Sequence, residues 1–152
     1  MRLKFIWPGK TKDEHLRTLI NGYLKRLQRF VRCEVIETRE VAGSDAANVE
    51  KESRRLLETI PANSLMVLLD VQGREWSSHE LAEELARWEN DSVKEVAIVI
   101  GGQDGISPEV SARAQKRWLL SRLTLTHEMA RVLAIEQIYR AYTINRGLPY
   151  QK

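Results

Sequence analysis

The chain has one cysteine, Cys33, among 152 residues. No disulfide can form within it, and a disulfide scaffold is excluded. No stretch approaches the roughly 18 consecutive apolar residues of a membrane-spanning helix. The segment Met1–Lys12 lacks the apolar region and small-residue cleavage site of a secretory signal. Metal-ligand spacing is missing too. His15, His79 and His127 form no H-x-x-x-H pair and there is no C-x-x-C, so no metal site is expected. There is no G-x-S-x-G elbow, no G-x-G-x-x-G and no P-loop lysine. Repeats, low-complexity tracts and linkers are also absent. These absences point to one cytoplasmic domain without membrane contact.

What is present is ordinary globular composition, 43% hydrophobic and 30% charged. The net charge of +3 hides an uneven distribution. Residues 61–110 carry 3 basic and 10 acidic side chains, whereas residues 111–152 carry 8 basic and 2 acidic. Such an imbalance suits a polyanion on one surface, or two neighbouring segments whose charges attract.

Apolar spacing alternates between strand and helix. Arg2–Trp7 reads as a strand stopped by Pro8-Gly9, and Asp13–Phe30 as a helix. Cys33–Glu37 reads as a second strand. Gly43-Ser44-Asp45 marks a turn and N-cap before a helix that Pro61 ends. Ser64–Val71 is a short apolar run, expected to be a strand buried on both faces. Ser77 and Glu80 form a capping box for a helix through about Trp88. Val93–Ile100 is a further strand. Ser107-Pro108-Glu109 is a compact helix start. Trp118–Leu125 reads as a fifth strand or an ordered loop. Thr126 caps a last helix that ends at Asn145-Arg146-Gly147. This alternation predicts an α/β fold: a single domain with a mostly parallel sheet and helices on both faces. Ligands of such sheets sit at the carboxyl ends of strands, here Leu69-Asp70 and Ile100-Gly101-Gly102.

Several residues invite chemistry. Gly101-Gly102-Gln103-Asp104-Gly105 follows a buried strand, and its glycines let backbone amides approach a ligand. A glycine-rich turn without a ligand is the plainer reading. Asp70 either accepts a hydrogen bond from a ligand or caps a loop. His127, in the first turn of the last helix, is a candidate acid, base or phosphate contact. His15 and His79 read as solvated. Cys33 lies in a strand, poorly placed for a nucleophile. Arg131, Arg140 and Arg146 interleave with Tyr139, Tyr142 and Tyr150, a composition that can clamp phosphates and stack bases. The plainer reading pairs Glu136 with Arg140 at i,i+4 and puts the tyrosines in the core. Trp7, Trp76, Trp88 and Trp118 read as packing or subunit-interface residues.

In order and spacing, several segments are together recognisable. They are Pro8-Gly9-Lys10, Leu68-Leu69-Asp70-Val71-Gln72-Gly73, Ser77-Ser78, Glu80-Leu81-Ala82, Ile100–Gly105 and the whole of Leu120–Lys152. The chain resembles the RlmH (YbeA-like) family, small SPOUT-class methyltransferases acting on a pseudouridine of 23S rRNA. The resemblance implies a C-terminal trefoil knot, which the rule against threaded loops would have opposed. It also implies a homodimer. It implies S-adenosylmethionine as methyl donor, held by Leu69, Gly101 and the loop Leu120-Ser121-Arg122-Leu123-Thr124-Leu125, with Gly102 and Gly105 supporting the turn. The implied target is N3 of a pseudouridine (position 1915, helix 69) in the assembled ribosome.

Carried over to this chain, Arg140, Tyr150 and His127 become the candidate catalytic residues. Arg131, Arg146, Gln151 and Lys152 become RNA contacts. The family usually ends in P-Y-H plus a basic residue, whereas this chain ends Pro149-Tyr150-Gln151-Lys152. Gln151 hydrogen-bonds but cannot titrate. That departure keeps a second reading open, a non-catalytic ribosome-binding or assembly factor with the same fold. Thr126 stands where the family often has proline. A nucleotide-binding α/β module using Gly101–Gly105 is the third reading.

Overall fold

Alternate burial along the strands sets the architecture. Leu3, Phe5 and Trp7 join the core on one side of the sheet and Ile6 joins the core on the other. In the computed structural model, residues 1–41 and 46–151 are described, so the expected turn and cap at Gly43-Ser44-Asp45 lie outside the described residues. The elements run β1 (Arg2–Pro8), α1 (Glu14–Leu27), β2 (Arg32–Thr38), α2 (Ala46–Thr59), β3 (Leu65–Glu75), α3 (Ser78–Asn90), β4 (Glu95–Val99), α4 (Pro108–Arg113), β5 (Lys116–Leu119) and α5 (His127–Asn145). The strands form one sheet in the order β2-β1-β4-β3-β5. Every pairing is parallel. Among the described residues no helix is long and apolar enough to cross a membrane.

Helices cover both faces, as the alternation predicted. Ile20 of α1, Leu81 and Leu85 of α3, and Ile135 and Ile138 of α5 pack on the side of Leu3, Phe5 and Trp7. Leu56 of α2 and Val110 of α4 pack on the side of Ile6, Met66 and Leu68. Nine residues of α5 are buried, Arg131 and Glu136 among them. A helix enclosed between α1, α3 and the sheet needs no single apolar stripe.

Side-chain caps fix where the helices begin. Asp13 Oδ1 accepts from the backbone of His15 at 2.8 Å and of Leu16 at 3.1 Å. Ser77 and Glu80 form the capping box reciprocally, at 3.1 and 2.7 Å. Thr126 Oγ1 accepts from Met129 N at 3.2 Å. These contacts satisfy amides that the first turn leaves without a carbonyl.

Two strand expectations need correction. β3 does not stop at Val71 and is not buried throughout. Met66–Leu68 are buried, but the strand runs on to Glu75 with Val71 82% exposed. Its outer half projects beyond the helices that cover the sheet. The segment Trp118–Leu125 is strand only to Leu119 and loop thereafter. Between the two halves of β3 the ladder to β5 breaks, with register shifting between Leu69 and Arg74. Gly73 sits in that break. A Cβ there would lie 2.7 Å from the Arg117 carbonyl carbon and 2.8 Å from Trp118 N. Backbone cannot yield as a side chain can, so Gly73→Ala should push β5 away and cost about 2–3 kcal/mol. Urea unfolding checks this as a lowered midpoint at unchanged slope.

Candidate functional site

The carboxyl ends of β3, β4 and β5 open into a cavity of about 990 Å³. Strand ends bring Leu68, Leu69, Ile100, Trp118 and Leu119 to it, and the glycine turn after β4 and the loop after β5 form its rim. Of the ten residues expected to hold a cofactor, Leu69, Gly101, Gly102, Gly105, Leu120, Ser121, Leu123, Thr124 and Leu125 line it. Arg122 does not. Its side chain is 86% exposed and turned to Glu75, with Nε 3.4 Å from Oε1.

The glycine turn owes its shape to its neighbours. A Cβ on Gly101 would lie 2.8 Å from Ile106 Cγ1, and one on Gly102 would lie 3.0 Å from Pro8 Cγ. Gly105 has φ +87° and closes the turn, donating from its amide to the Gly102 carbonyl at 3.1 Å. Asp70 caps the loop, the plainer of the two roles considered for it. It lines the cavity, and its Oδ1 accepts from Gln72 N at 2.9 Å, capping the loop. Gln103 and Ile106 also line the cavity and were not singled out as cofactor residues. The Gly101–Gly105 spacing marks the turn, but nothing in the sequence says which non-glycine members face inward.

His127 lines the same cavity. Burial lowers its pKa below the ordinary 6.5, and the Arg131 charge adds to the effect. The imidazole is therefore neutral at pH 7, suited to accepting a proton and unsuited to holding a phosphate by charge.

Arg131 requires correction as an RNA contact. It is 1% exposed. Nη2 donates to the Pro8 carbonyl at 2.8 Å and Nη1 to Thr11 Oγ1 at 3.0 Å. The guanidinium carbon lies 4.9 Å from the Trp7 ring centroid. In this chain its cation faces inward and braces the loop between β1 and α1. Glu128 acts beside it, accepting from Lys12 N and Asp13 N at 3.0 Å each.

Arg140 and Tyr150 come together elsewhere. The Arg140 guanidinium lies over the Tyr150 ring, 4.7 Å from its centroid. Nη2 donates to Glu136 Oε1 at 2.6 Å and Nη1 to Gln151 Oε1 at 2.8 Å. The Tyr150 hydroxyl donates to the same Glu136 oxygen at 2.8 Å. Burial and hydrogen bonding to Tyr23 and Glu136 raise the Tyr150 pKa well above its usual range, so the phenol keeps its proton. Glu136 thus organises the cluster. The i,i+4 spacing announced its pairing with Arg140, but not that Tyr150 would share the carboxylate. Tyr142 is core, its hydroxyl donating to Glu89 at 3.0 Å. Arg146 is exposed and lies over Phe30 at 5.6 Å. Lys152 lies outside the described residues.

One chain does not unite its candidates. His127 opens α5 at the cavity and Arg140 follows thirteen residues later on the same helix. At 1.5 Å per residue they are about 20 Å apart.

Known proteins resemble this chain over nearly its whole length. The family described as "Predicted SPOUT methyltransferase" matches residues 1–151. A protein of Desulfotalea psychrophila named ribosomal RNA large subunit methyltransferase H is 41% identical over 153 residues, covering 100% of both chains. A protein of the same name from Geobacter metallireducens is 42% identical over 151 residues, covering 99% of this chain and 98% of its own. Among solved structures, a probable methyltransferase from Bordetella pertussis Tohama I superposes with TM-score 0.58 at 14% identity, over 93% of this chain and 96% of its own. A probable methylase family protein from Haemophilus influenzae gives 0.55 at 13%, over 99% and 70%. These two likenesses speak to the fold.

Proposed function

The chain belongs to the SPOUT methyltransferase family, and from that premise we propose that it methylates large-subunit ribosomal RNA, at N3 of a pseudouridine in helix 69 of 23S rRNA in the assembled ribosome. The methyl donor in this reading is S-adenosylmethionine, and the C-terminal trefoil knot belongs to the same reading. The observation that carries it is the cavity at the carboxyl strand ends, which gathers nine of ten expected cofactor residues with His127.

The cavity suits such a donor. Its volume matches that of small-molecule sites. The Gly101-Gly102 backbone is bare where a Cβ would meet Ile106 and Pro8. Ser121 and Thr124 offer hydroxyls, and the leucines offer apolar surface. When bound, S-adenosylmethionine supplies an electrophilic methyl group on a sulfonium.

The protein's own task is to align the base and remove its N3 proton. His127, neutral at pH 7, accepts that proton. Arg140 stabilises the developing anion, held by Glu136 at the required orientation. Tyr150 donates from its phenol or packs on the base and does not act as the base at neutral pH. Gln151 accepts from Arg140, a positioning role that does not need a titrating group.

The 20 Å gap along α5 supports a homodimer in which the partner's C-terminal cluster faces this chain's cavity. Apolar surface at the cavity rim supports the same arrangement. Leu123 is 77% exposed and Val71 82%, two apolar side chains that a second chain docked at the rim would cover.

Radiolabelled S-adenosylmethionine, offered with ribosomes lacking the modification and with free 23S rRNA, tests the reading. Label at one pseudouridine, in ribosomes only, is expected. Cofactor binding without label in either substrate sinks the enzyme and leaves the non-catalytic ribosome-binding factor.

A further inference from the structure

The end of the sheet opposite the cavity carries a second concavity. It measures about 410 Å³ and is lined by Met1, Arg2, Arg32, Lys94 and Glu95. Glu95, which opens β4, and Ile100 at the cavity are five positions apart, about 17 Å at strand rise. Arg2, Arg32 and Lys94 are all exposed. Among the described residues none of the three has a carboxylate within ion-pair distance. The nearby Glu95 is committed to Lys4 at 2.9 Å.

The register sets two cations side by side. Arg2 pairs with Arg32 on one side of the parallel ladder and with Glu95 on the other, each roughly 4.8 Å away in the hydrogen-bonding direction, and Glu95 is shared with Lys4. Like charges side by side on a sheet repel. They share the face on which Ile6, Ala97 and Val99 are covered by α2 and α4. That cover stops short of Arg2 and Arg32, so the face lies open to a partner. An anion placed between them relieves the repulsion, and all three cations line the same concavity. Arg146 lies at the far end of α5, over Phe30, two residues from Arg32 in the chain.

We infer that Arg2, Arg32 and Lys94 form a second contact for backbone phosphates of the RNA substrate, distinct from the methyl-transfer cavity. The inference rests on the RNA-methyltransferase reading for the identity of the polyanion. It also draws on the homodimer proposed above. If the partner's Arg140–Tyr150 end of α5 faces this chain's cavity, the partner's basic end of the sheet lies on the same side. Phosphates beyond the target base then meet Arg2, Arg32 and Lys94 while the base enters the cavity. The contact is to phosphates and therefore positions the RNA without reading its sequence.

The test measures binding of the full-length protein at several salt concentrations, to ribosomes and to a protein-free rRNA duplex. Wild type is compared with Arg2→Gln/Arg32→Gln/Lys94→Gln, with each single variant, and with Lys51→Gln on α2 as control. Each lost phosphate contact lowers the slope of log K against log[salt] by about 0.7–0.9. The triple variant should therefore lose about 2–3 from the slope on both RNAs, each single variant about a third of that, and the control nothing. Dimer mass, melting temperature and S-adenosylmethionine affinity should be unchanged. An unchanged slope overturns the inference. So does a loss seen with ribosomes but not with bare RNA, which assigns the patch to a ribosomal protein. Dissociation of the variant into monomers overturns it too, assigning the patch to a second copy of the chain. Failure of methyl transfer by wild type, with salt-dependent binding intact, counts against the enzymatic reading alone.

Discussion

Arg140→Ala should lower methyl transfer about a hundred- to ten-thousand-fold while changing S-adenosylmethionine affinity no more than about twofold. The split follows from geometry, because Arg140 is about 20 Å along α5 from the cavity of its own chain. Its guanidinium holds the Tyr150 ring, Glu136 and Gln151 together, so the substitution also loosens Tyr150. Single-turnover transfer and equilibrium binding of the cofactor measure the two halves separately. Mixing decides which chain supplies the arginine. Gly101→Val places a branched side chain against Ile106 and should block the cavity without touching the Arg140 cluster. Each variant alone is then inactive. Random exchange of subunits makes half the dimers mixed, each with one intact cavity facing one intact Arg140, so about a quarter of wild-type activity should return. No return would mean that each chain completes its own site. Equal transfer by wild type and Arg140→Ala would remove Arg140 from the mechanism.

Arg131→Ala should be the most destabilising of the substitutions considered, at about 3–5 kcal/mol, or a fall in Tm of roughly 10 °C. Arg131 has almost no exposed surface. Its loss leaves a cavity under Trp7, strips the Pro8 carbonyl and Thr11 hydroxyl of their donor, and leaves Glu128 facing the loop without its nearby cation. Arg131→Lys should recover only part of this, because an ammonium cannot reproduce two donors in a planar fork. A readout unrelated to stability follows from electrostatics. Arg131 helps to depress the His127 pKa, so Arg131→Lys should leave it low and Arg131→Met should raise it, visible in the His127 proton resonances. The depressed value also fixes a sign. The folded state prefers neutral His127, so this group costs stability as pH falls below its ordinary value of 6.5. Any role as a base should persist down to and below that pH.

The sequence exposed the parts of this molecule that depend on local chemistry. Caps at Ser77, Ser107 and Thr126 could be read because they serve amides one turn away. Strand cores could be read because neighbours on both faces demand apolar residues. The cavity was legible in outline, since parallel strands deliver their ends to one edge. What stayed hidden depended on packing between distant residues. Nothing in the spacing of Arg131 distinguishes an inward cation from an outward one. Only the approach of Pro8 and Thr11, about 120 residues earlier in the chain, turns it inward. Arg122 failed for the opposite reason, being on a loop where it is exposed and paired with Glu75 outside the cavity. β3 ran past its apolar run because its outer half pairs with β5 beyond a break that only Gly73 permits. Arg2 and Arg32 could not be paired from sequence at all, since ladder register is set by the whole sheet.

Trp118, buried in the cavity wall, has one more consequence. Its ring centroid lies 5.9 Å from that of Trp76, which in turn lies 6.3 Å from that of Trp88. Three indoles are therefore close enough to exchange excitation, and one of them touches whatever fills the cavity. Occupancy changes the polarity around an emitter already in place, so the intrinsic emission of the protein reports loading without any dye. The remaining indole, Trp7, lies beneath Arg131 and reports the bracing of the β1–α1 loop instead. Replacing Trp118 by phenylalanine separates the two signals.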